Sequence, residues 1–196
     1  NRRWRWIKYI VVSPVGNRKG YVIDRFLVSV KAFQPPPEEI VLCISADSPY
    51  NLSKFQDCII KINPEISVPD GELERICSGR EILRKHFIYH HENYQYALWV
   101  DTDIICPPET PRVLYDIMEE KKSLIVVNKV MGRGTRRLIC GSGVMLTHKI
   151  ACTASHFWIG RVIKKNGSES HLSEDFTFFS IFDQGKVFLK KWTGRS

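Results

Sequence analysis

The sequence has no long run of apolar residues and no clustered cysteines, and each absence excludes a class of protein. Its apolar runs, such as Ala97 to Val100, fall far short of the roughly 20 residues that cross a bilayer, so no transmembrane helix is expected. The six cysteines form no Cys-x-x-Cys pair and no cluster with histidine, which argues against a zinc finger or ribbon. Because Cys43, Cys58 and Cys140 stand inside apolar runs, we expect mostly buried free thiols.

Glycine-rich phosphate loops and histidine ligand pairs are also missing. The segment Met131 to Arg137 (MGRGTRR) is rich in glycine and arginine but lacks the spacing of a Walker loop, so we expect a mobile loop near an acceptor or a phosphate. His90, His91, His148, His156 and His171 show no ligand-like spacing among themselves.

Charge is unevenly distributed along the chain. The net charge is +8, from 29 basic and 21 acidic residues, and the basic residues concentrate in residues 1–25 and 119–196 around an acidic middle. A basic surface attracts phosphate in any form, whether nucleic acid, anionic lipid or a nucleotide diphosphate. The net charge therefore predicts a negatively charged partner but does not identify that partner.

The order of apolar runs predicts an α/β domain. A chain of 196 residues with 43% apolar content suits one domain, and strand-like runs that alternate with helical stretches favour a mixed, mainly parallel sheet flanked by helices. We expect the first strand to be broken by Pro14 to Gly16. The expected strands are Trp6–Ser13, Glu39–Ser45, Asp57–Ile62, Tyr96–Val100, Leu124–Asn128, Gly143–Thr147 and Val187–Trp192. The expected helices are Tyr21–Phe33, Gly71–His90, Thr110–Glu120 and Glu174–Phe182.

Two carboxylates, Asp101 and Asp103, follow the apolar strand YALWV directly. Carboxylate oxygens are hard ligands that suit Mg²⁺ or Mn²⁺, and these ions keep coordination positions for phosphate oxygens. Ligands of open α/β sheets gather at the carboxyl ends of the strands, where this Asp-x-Asp motif is expected. A solvated Asp101 beside a turn-capping Asp103 is the alternative interpretation.

Several segments in this order resemble the glycosyltransferases of the GT-A fold. The segments are SPVGNR, ISAD, SGREILR, YALWVDTDIICPP, GSGVML and SEDFTFFSIFDQGKVFLKKW, and they extend over residues 6–192. Length and motif order are also similar to those of glycosyltransferases encoded by turreted icosahedral viruses of hot-spring archaea. The resemblance implies a metal-dependent hexosyltransferase, with residues 1–103 as a nucleotide-sugar half and residues 104–196 as an acceptor half.

The resemblance also implies roles for individual residues in the donor site. Asp103 would coordinate a Mn²⁺ or Mg²⁺ ion that bridges the diphosphate of a UDP- or GDP-sugar, and Asp101 would contact the ribose or assist the metal. Ser13, Pro14 and Asp47 would line the nucleoside pocket.

Charged residues outside the Asp-x-Asp motif receive roles as well. Either Arg80 or Arg84 would meet phosphate or base, with ion pairs to Glu81 or Glu74 as the alternative. Asp175, or failing that Glu174, would take the proton of the acceptor hydroxyl if the enzyme inverts. Glu174 and Asp175 also suit the first turn of a helix that follows Ser173.

Other functions remain open alternatives. A sugar nucleotidyltransferase shares the sheet and the carboxylates, although SPVGNRKG has only two separated glycines after the first strand. A non-enzymatic nucleic-acid-binding or structural protein would use NRRWRW, but the strand-like alternation of arginine and tryptophan explains that segment equally well. Nucleic acid is therefore not the expected partner.

The expected partners are a nucleotide sugar and a hydroxyl acceptor, such as a glycan, a lipid or a glycoprotein, a capsid protein being one example. The basic ends would also suit peripheral contact with an anionic membrane. Because the first residues do not resemble a secretory signal, we expect a cytoplasmic protein, in the host cytoplasm if a virus encodes it.

Overall fold

Nine strands and four α-helices form the part of the chain that the computed structural model describes, which is residues 7–17, 20–64, 72–90, 93–131, 138–157, 160–163, 169–172 and 188–191. The strands are β1 (Tyr9–Val15), β2 (Glu39–Ser45), β3 (Ile59–Asn63), β4 (Tyr96–Val100), β5 (Ile125–Met131), β6 (Leu138–His148), β7 (Gly160–Ile163), β8 (Glu169–Leu172) and β9 (Phe188–Lys191). The helices are α1 (Ile23–Lys31), α2 (Glu72–His90), α3 (Thr110–Lys121) and α4 (Lys149–Ala154), with a 3₁₀ turn at Leu52–Phe55.

Seven of these strands form one mixed sheet in the order β3-β2-β1-β4-β6-β5-β9. β1 pairs in parallel with β2 and β4, β2 pairs in parallel with β3, and β5 pairs in parallel with β9. β6 runs antiparallel to both of its neighbours, β4 and β5. β7 and β8 form a separate antiparallel pair. The expected mixed, mainly parallel sheet is confirmed.

Helices cover both faces of the sheet, so its central strands are apolar on both sides. Alternate residues of β1 belong to different core clusters, Val11 to one and Ile10 and Val12 to the other. α1 and α3 pack on the first face with Ile23, Phe26, Leu27, Val30, Leu114 and Met118. α2 and α4 pack on the second face with Cys77, Leu83, Phe87, Ala151 and Cys152. This burial explains why the strands read as continuous apolar runs.

The first strand extends into the expected break at Pro14 to Gly16. β1 runs through Pro14 and ends at Val15, so the prediction that the strand ends at Ser13 was wrong by two residues. The ladder between β1 and β4 ends at Val12, opposite Trp99, whereas the ladder with β2 continues to Val15. Because proline lacks only a backbone donor, it is tolerated where one of the two ladders has already ended.

The described cysteines agree with the expected free thiols. Cys43, Cys77, Cys106 and Cys152 are buried free thiols, and Cys58 is a half-buried one. Among the described helices, none is both long enough and apolar enough to cross a membrane. The predicted helix Glu174–Phe182 and most of the predicted loop Met131 to Arg137 lie outside the described residues.

The strand order reverses its direction between β1 and β4. The chain passes from β1 to β2 and β3 on one side, and then crosses to β4 on the other side of β1. In open α/β sheets, such a reversal of direction opens a crevice outside the carboxyl ends of the two strands, and ligands bind there. Ser13 and Pro14 lie near this end of β1, and Asp101 directly follows β4.

Candidate functional site

The loops that follow β1 and β2 are joined by side-chain hydrogen bonds. Asn17 Nδ2 donates to Asp47 Oδ1 at 3.2 Å, and the hydroxyl of Tyr50 donates to the carbonyl of Gly16 at 2.6 Å. Asp47, which follows β2, therefore lies beside the loop that follows β1. No sequence pattern marks Tyr50, and none marks Asn17 as the hydrogen-bond partner of Asp47.

Two buried polar atoms near the end of β1 have no hydrogen-bond partner among the described residues. They are Ser13 Oγ and Asn17 Oδ1, and Ser13 is fully buried. A buried polar atom without a partner costs free energy, so such atoms mark positions where a ligand or a water can complete the bonding. Ser13 is one of the residues that the resemblance assigns to a nucleoside pocket, and Asn17 follows four residues later.

A partly buried ion pair joins the helix α2 to the Asp-x-Asp motif. Arg80 Nη2 lies 2.8 Å from Asp101 Oδ1, and the side chain of Arg80 is only 4% exposed while that of Asp101 is 33% exposed. A Cβ at Gly79, the residue before Arg80, would make only ordinary contacts of 3.6–3.8 Å with Pro14, Cys43 and Asn63, so α2 lies close to the ends of the strands there without requiring a glycine. Of the two candidate arginines, Arg80 is the one that the structure brings to the motif.

The backbone around Asp101 is fixed by the antiparallel neighbour β6. The amide of Asp101 donates to the carbonyl of Gly143 at 2.9 Å, and the amide of Ile104 donates to the carbonyl of Asp101 at 3.0 Å. The turn that results buries Thr102 and exposes Asp103. The two carboxylates thus differ in exposure, since Asp101 is partly buried beside Arg80 and Asp103 is exposed.

Arg84 is engaged elsewhere in the described structure. Its Nε and Nη2 each donate to the Glu81 carboxylate at 2.7 Å, and its Nη1 donates to the carbonyl of Cys152 at 2.6 Å. Burial alone would lower the pKa of Arg84, but the hydrogen bonds and charge of Glu81 outweigh it and raise that pKa. This arrangement corresponds to the ion-pair alternative for Arg84, with Glu81 as the partner.

The thiol closest to the end of β1 does not resemble a nucleophile. Burial raises the pKa of Cys43 to about 12, so the thiol stays protonated near neutral pH. Cys43 packs against Gly79 on α2 and serves as a small apolar residue.

The donor set fits a metal ion that is held mainly by a substrate. No group of three or more His, Cys, Asp or Glu side chains that could hold a metal occurs among the described residues. Asp101 Oδ1 is bonded to Arg80, whereas Asp103 is exposed. Mg²⁺ commonly binds through one or two carboxylates together with substrate phosphates, and Asp103 with one oxygen of Asp101 suits that mode. Glu174 and Asp175, the candidate bases, lie outside the described residues.

Close packing at Gly143 provides a test of the geometry around Asp101. A Cβ at this position would lie 2.7 Å from Ile104 Cδ1 and 3.5 Å from Asp101 Oδ2. Gly143→Ala is expected to lower the free energy of unfolding by at most about 0.5 kcal/mol, because turning the end of the Ile104 side chain aside, at roughly 0.5–1.5 kcal/mol, only slightly exceeds the roughly 0.5–1 kcal/mol that alanine gains over glycine in a strand.

The valine variant at position 104 is the matched control, because Ile104→Val removes the obstructing Cδ1 alone. In that background, Gly143→Ala is expected to be neutral or stabilising in urea titrations. An equal cost in both backgrounds would contradict the proposed contact.

Comparison with known proteins identifies the fold. No protein-family model and no curated protein matches the chain. Among solved structures, it is similar to residues 1–349 of the Staphylococcus aureus glycosyltransferase TarS, with a TM-score of 0.61 and 13% identity, over 97% of this chain and 59% of that one. The complex of TarS with UDP-GlcNAc gives a TM-score of 0.59 and 15% identity, over 97% of this chain and 57% of that one.

A nucleotidyltransferase shares the same architecture. The 4-diphosphocytidyl-2C-methyl-D-erythritol synthase of Anaerococcus prevotii matches with a TM-score of 0.55 and 15% identity, over 94% of this chain and 87% of that one. The fold is therefore an α/β domain of the GT-A type. The chain spans less than two thirds of the TarS structures.

Proposed function

We propose that this protein transfers a hexose from a UDP- or GDP-sugar to a hydroxyl acceptor. The observation that carries the proposal is the ion pair of the buried Arg80 with Asp101, which stands directly after β4 and next to the exposed Asp103, at the point where the strand order reverses. A similar fold binds UDP-GlcNAc in TarS, which supports this choice of donor.

The residues of the candidate site divide into nucleoside contacts and a phosphate end. Ser13, Pro14 and Asp47 would line the nucleoside pocket at the ends of β1 and β2. Asp101 would contact the ribose or assist the metal through its partly exposed carboxylate. Arg80 holds Asp101 in place through a charge-assisted bond, and such a preorganised group need not reorient when the donor binds.

Asp103, with Asp101 assisting, would hold the divalent metal at the diphosphate. When bound, Mn²⁺ or Mg²⁺ supplies positive charge that stabilises the departing nucleoside diphosphate. Asp175, or Glu174 in its place, would accept the proton of the acceptor hydroxyl. Residues 1–103 would form the nucleotide-sugar half and residues 104–196 the acceptor half, whose acceptor would be a glycan, a lipid or a glycoprotein.

A donor panel tests the proposal. The protein is incubated with UDP-, GDP- and dTDP-hexoses and Mn²⁺, and the release of nucleoside diphosphate is measured with and without simple glycan acceptors. We expect release from one base series, strengthened by an acceptor and abolished by chelation of the metal. No release from any donor, with or without acceptor, would contradict the proposal.

A sugar nucleotidyltransferase is the second candidate, favoured by the similarity to the Anaerococcus prevotii synthase, of which this chain covers 87%. That activity would release pyrophosphate from CTP or UTP in the presence of a sugar or polyol phosphate. The two candidates therefore differ in their product, and pyrophosphate without nucleoside diphosphate would select the second.

A further inference from the structure

The aromatic ring of Phe157, from the second half of the chain, packs against Trp99 and Arg80 beside Asp101. The ring of Phe157 lies 5.0 Å from the ring of Trp99, centroid to centroid, and 5.9 Å from Arg80 Cζ. Phe157 is 3% exposed. Trp99 lies on β4, two residues before Asp101, and Arg80 forms the ion pair with Asp101. The Phe157 ring therefore contacts both the strand that precedes Asp101 and the arginine that pairs with it.

The backbone of Phe157 is tied to the same helix that carries Arg80. Its amide donates to Glu81 Oε2 at 3.2 Å. The same Glu81 carboxylate accepts two bonds from Arg84, which also donates to the carbonyl of Cys152 at the end of α4. A two-bond pair between arginine and a carboxylate adds geometric specificity to the contact. Glu81 and Arg84 therefore fix where the segment after α4 lies on α2.

We propose that Phe157 is a positioning residue for donor binding, which acts by holding the Arg80 guanidinium against Asp101. This inference rests on the proposed function. An arginine side chain has many rotamers, and ordering it costs free energy that a fixed neighbour can reduce. The aromatic face attracts the cation and closes the space into which the guanidinium could otherwise rotate.

The arrangement also gives Arg84 an indirect role in donor binding. Arg84 holds Glu81, Glu81 holds the amide of Phe157, and the ring of Phe157 contacts Arg80. Through this chain of contacts, a segment of the expected acceptor half supports a residue pair of the expected nucleotide-sugar half.

The first readout needs no substrate. In protein labelled with ¹⁵N-arginine, the guanidinium of Arg80 is expected to give separate, slowly exchanging Nη–H signals, which Arg80→Lys identifies by their loss. Phe157→Leu is expected to broaden or average these signals, whereas Phe157→Tyr, which keeps the ring, retains them. Phe33→Leu is the matched control, because Phe33 is equally buried at 2% exposure and lies beyond the end of α1.

The second readout is kinetic. Phe157→Leu is expected to raise the donor KM about three- to tenfold, in line with a cation–aromatic contact, while kcat stays within about twofold. Phe33→Leu should leave both constants near those of the native protein, and Phe157→Tyr should restore KM.

Unchanged Arg80 signals in Phe157→Leu would overturn the inference, and so would equal changes in Phe157→Leu and Phe33→Leu. If the leucine variant does not fold, Phe157→Met, which has similar volume and no aromatic face, replaces it in both readouts. A native protein that is inert toward every donor would contradict the proposed function, and the Arg80 signals would still decide the role of Phe157.

Discussion

Replacing Asp101 by alanine is expected to lower the free energy of unfolding by about 3 kcal/mol, because it leaves the Arg80 guanidinium buried without its carboxylate. The Arg80 side chain is 4% exposed, so water has little access to compensate the lost partner. Arg80→Met is expected to cost less, about 1 kcal/mol, because the carboxylate that it leaves behind is 33% exposed and can be hydrated. Urea titrations that follow the far-UV circular dichroism measure both values.

Two further variants separate this structural role from loss of a metal ligand. Asp103→Ala is expected to change stability by less than about 0.5 kcal/mol, because Asp103 is exposed. The double variant Arg80→Met with Asp101→Ala is expected to be more stable than Asp101→Ala alone, because no buried charge remains. Equal stability of Asp101→Ala and Asp103→Ala would show that the ion pair contributes nothing.

Much of the fold was predictable because the sheet is covered on both faces. Central strands such as β2 and β4 read as unbroken apolar runs, and the expected bounds Glu39–Ser45 and Tyr96–Val100 match the structure. β5 extends to Met131, beyond the expected end at Asn128, and α4 was not expected at all. Strand pairing decides where β5 ends, and a helix of six residues carries too little periodicity to be recognised.

The candidate site was predictable only where its residues follow one strand directly. Asp101 and Asp103 were found because an apolar strand ends beside them. Arg80 and Arg84 are equivalent in sequence, since both stand on α2 beside acidic residues, and only packing shows which one reaches Asp101. Phe157 contacts Arg80 across a separation of 77 residues, so no local pattern marks it.

Asp103→Asn is expected to lower kcat/KM for the nucleotide sugar about 100-fold at a fixed Mn²⁺ concentration, because about 2.7 kcal/mol of metal-derived stabilisation is lost when a carboxylate becomes an amide. The amide oxygen is a weaker ligand without charge, so a higher Mn²⁺ concentration should recover part of the rate. Steady-state release of nucleoside diphosphate, titrated with Mn²⁺ and with Mg²⁺, measures the effect.

Asp116→Asn is the matched control, because it makes the same chemical change at an exposed position on α3. It should keep the kcat/KM and the Mn²⁺ dependence of the native protein. Since Asp103→Asn is expected to fold as well as the control, equal Tm values for the two variants would assign the loss of rate to the site rather than to unfolding. A donor reaction that is as fast in Asp103→Asn as in Asp116→Asn would remove Asp103 from the metal site, and the Arg80–Asp101 pair would then remain the principal charged feature of the candidate site.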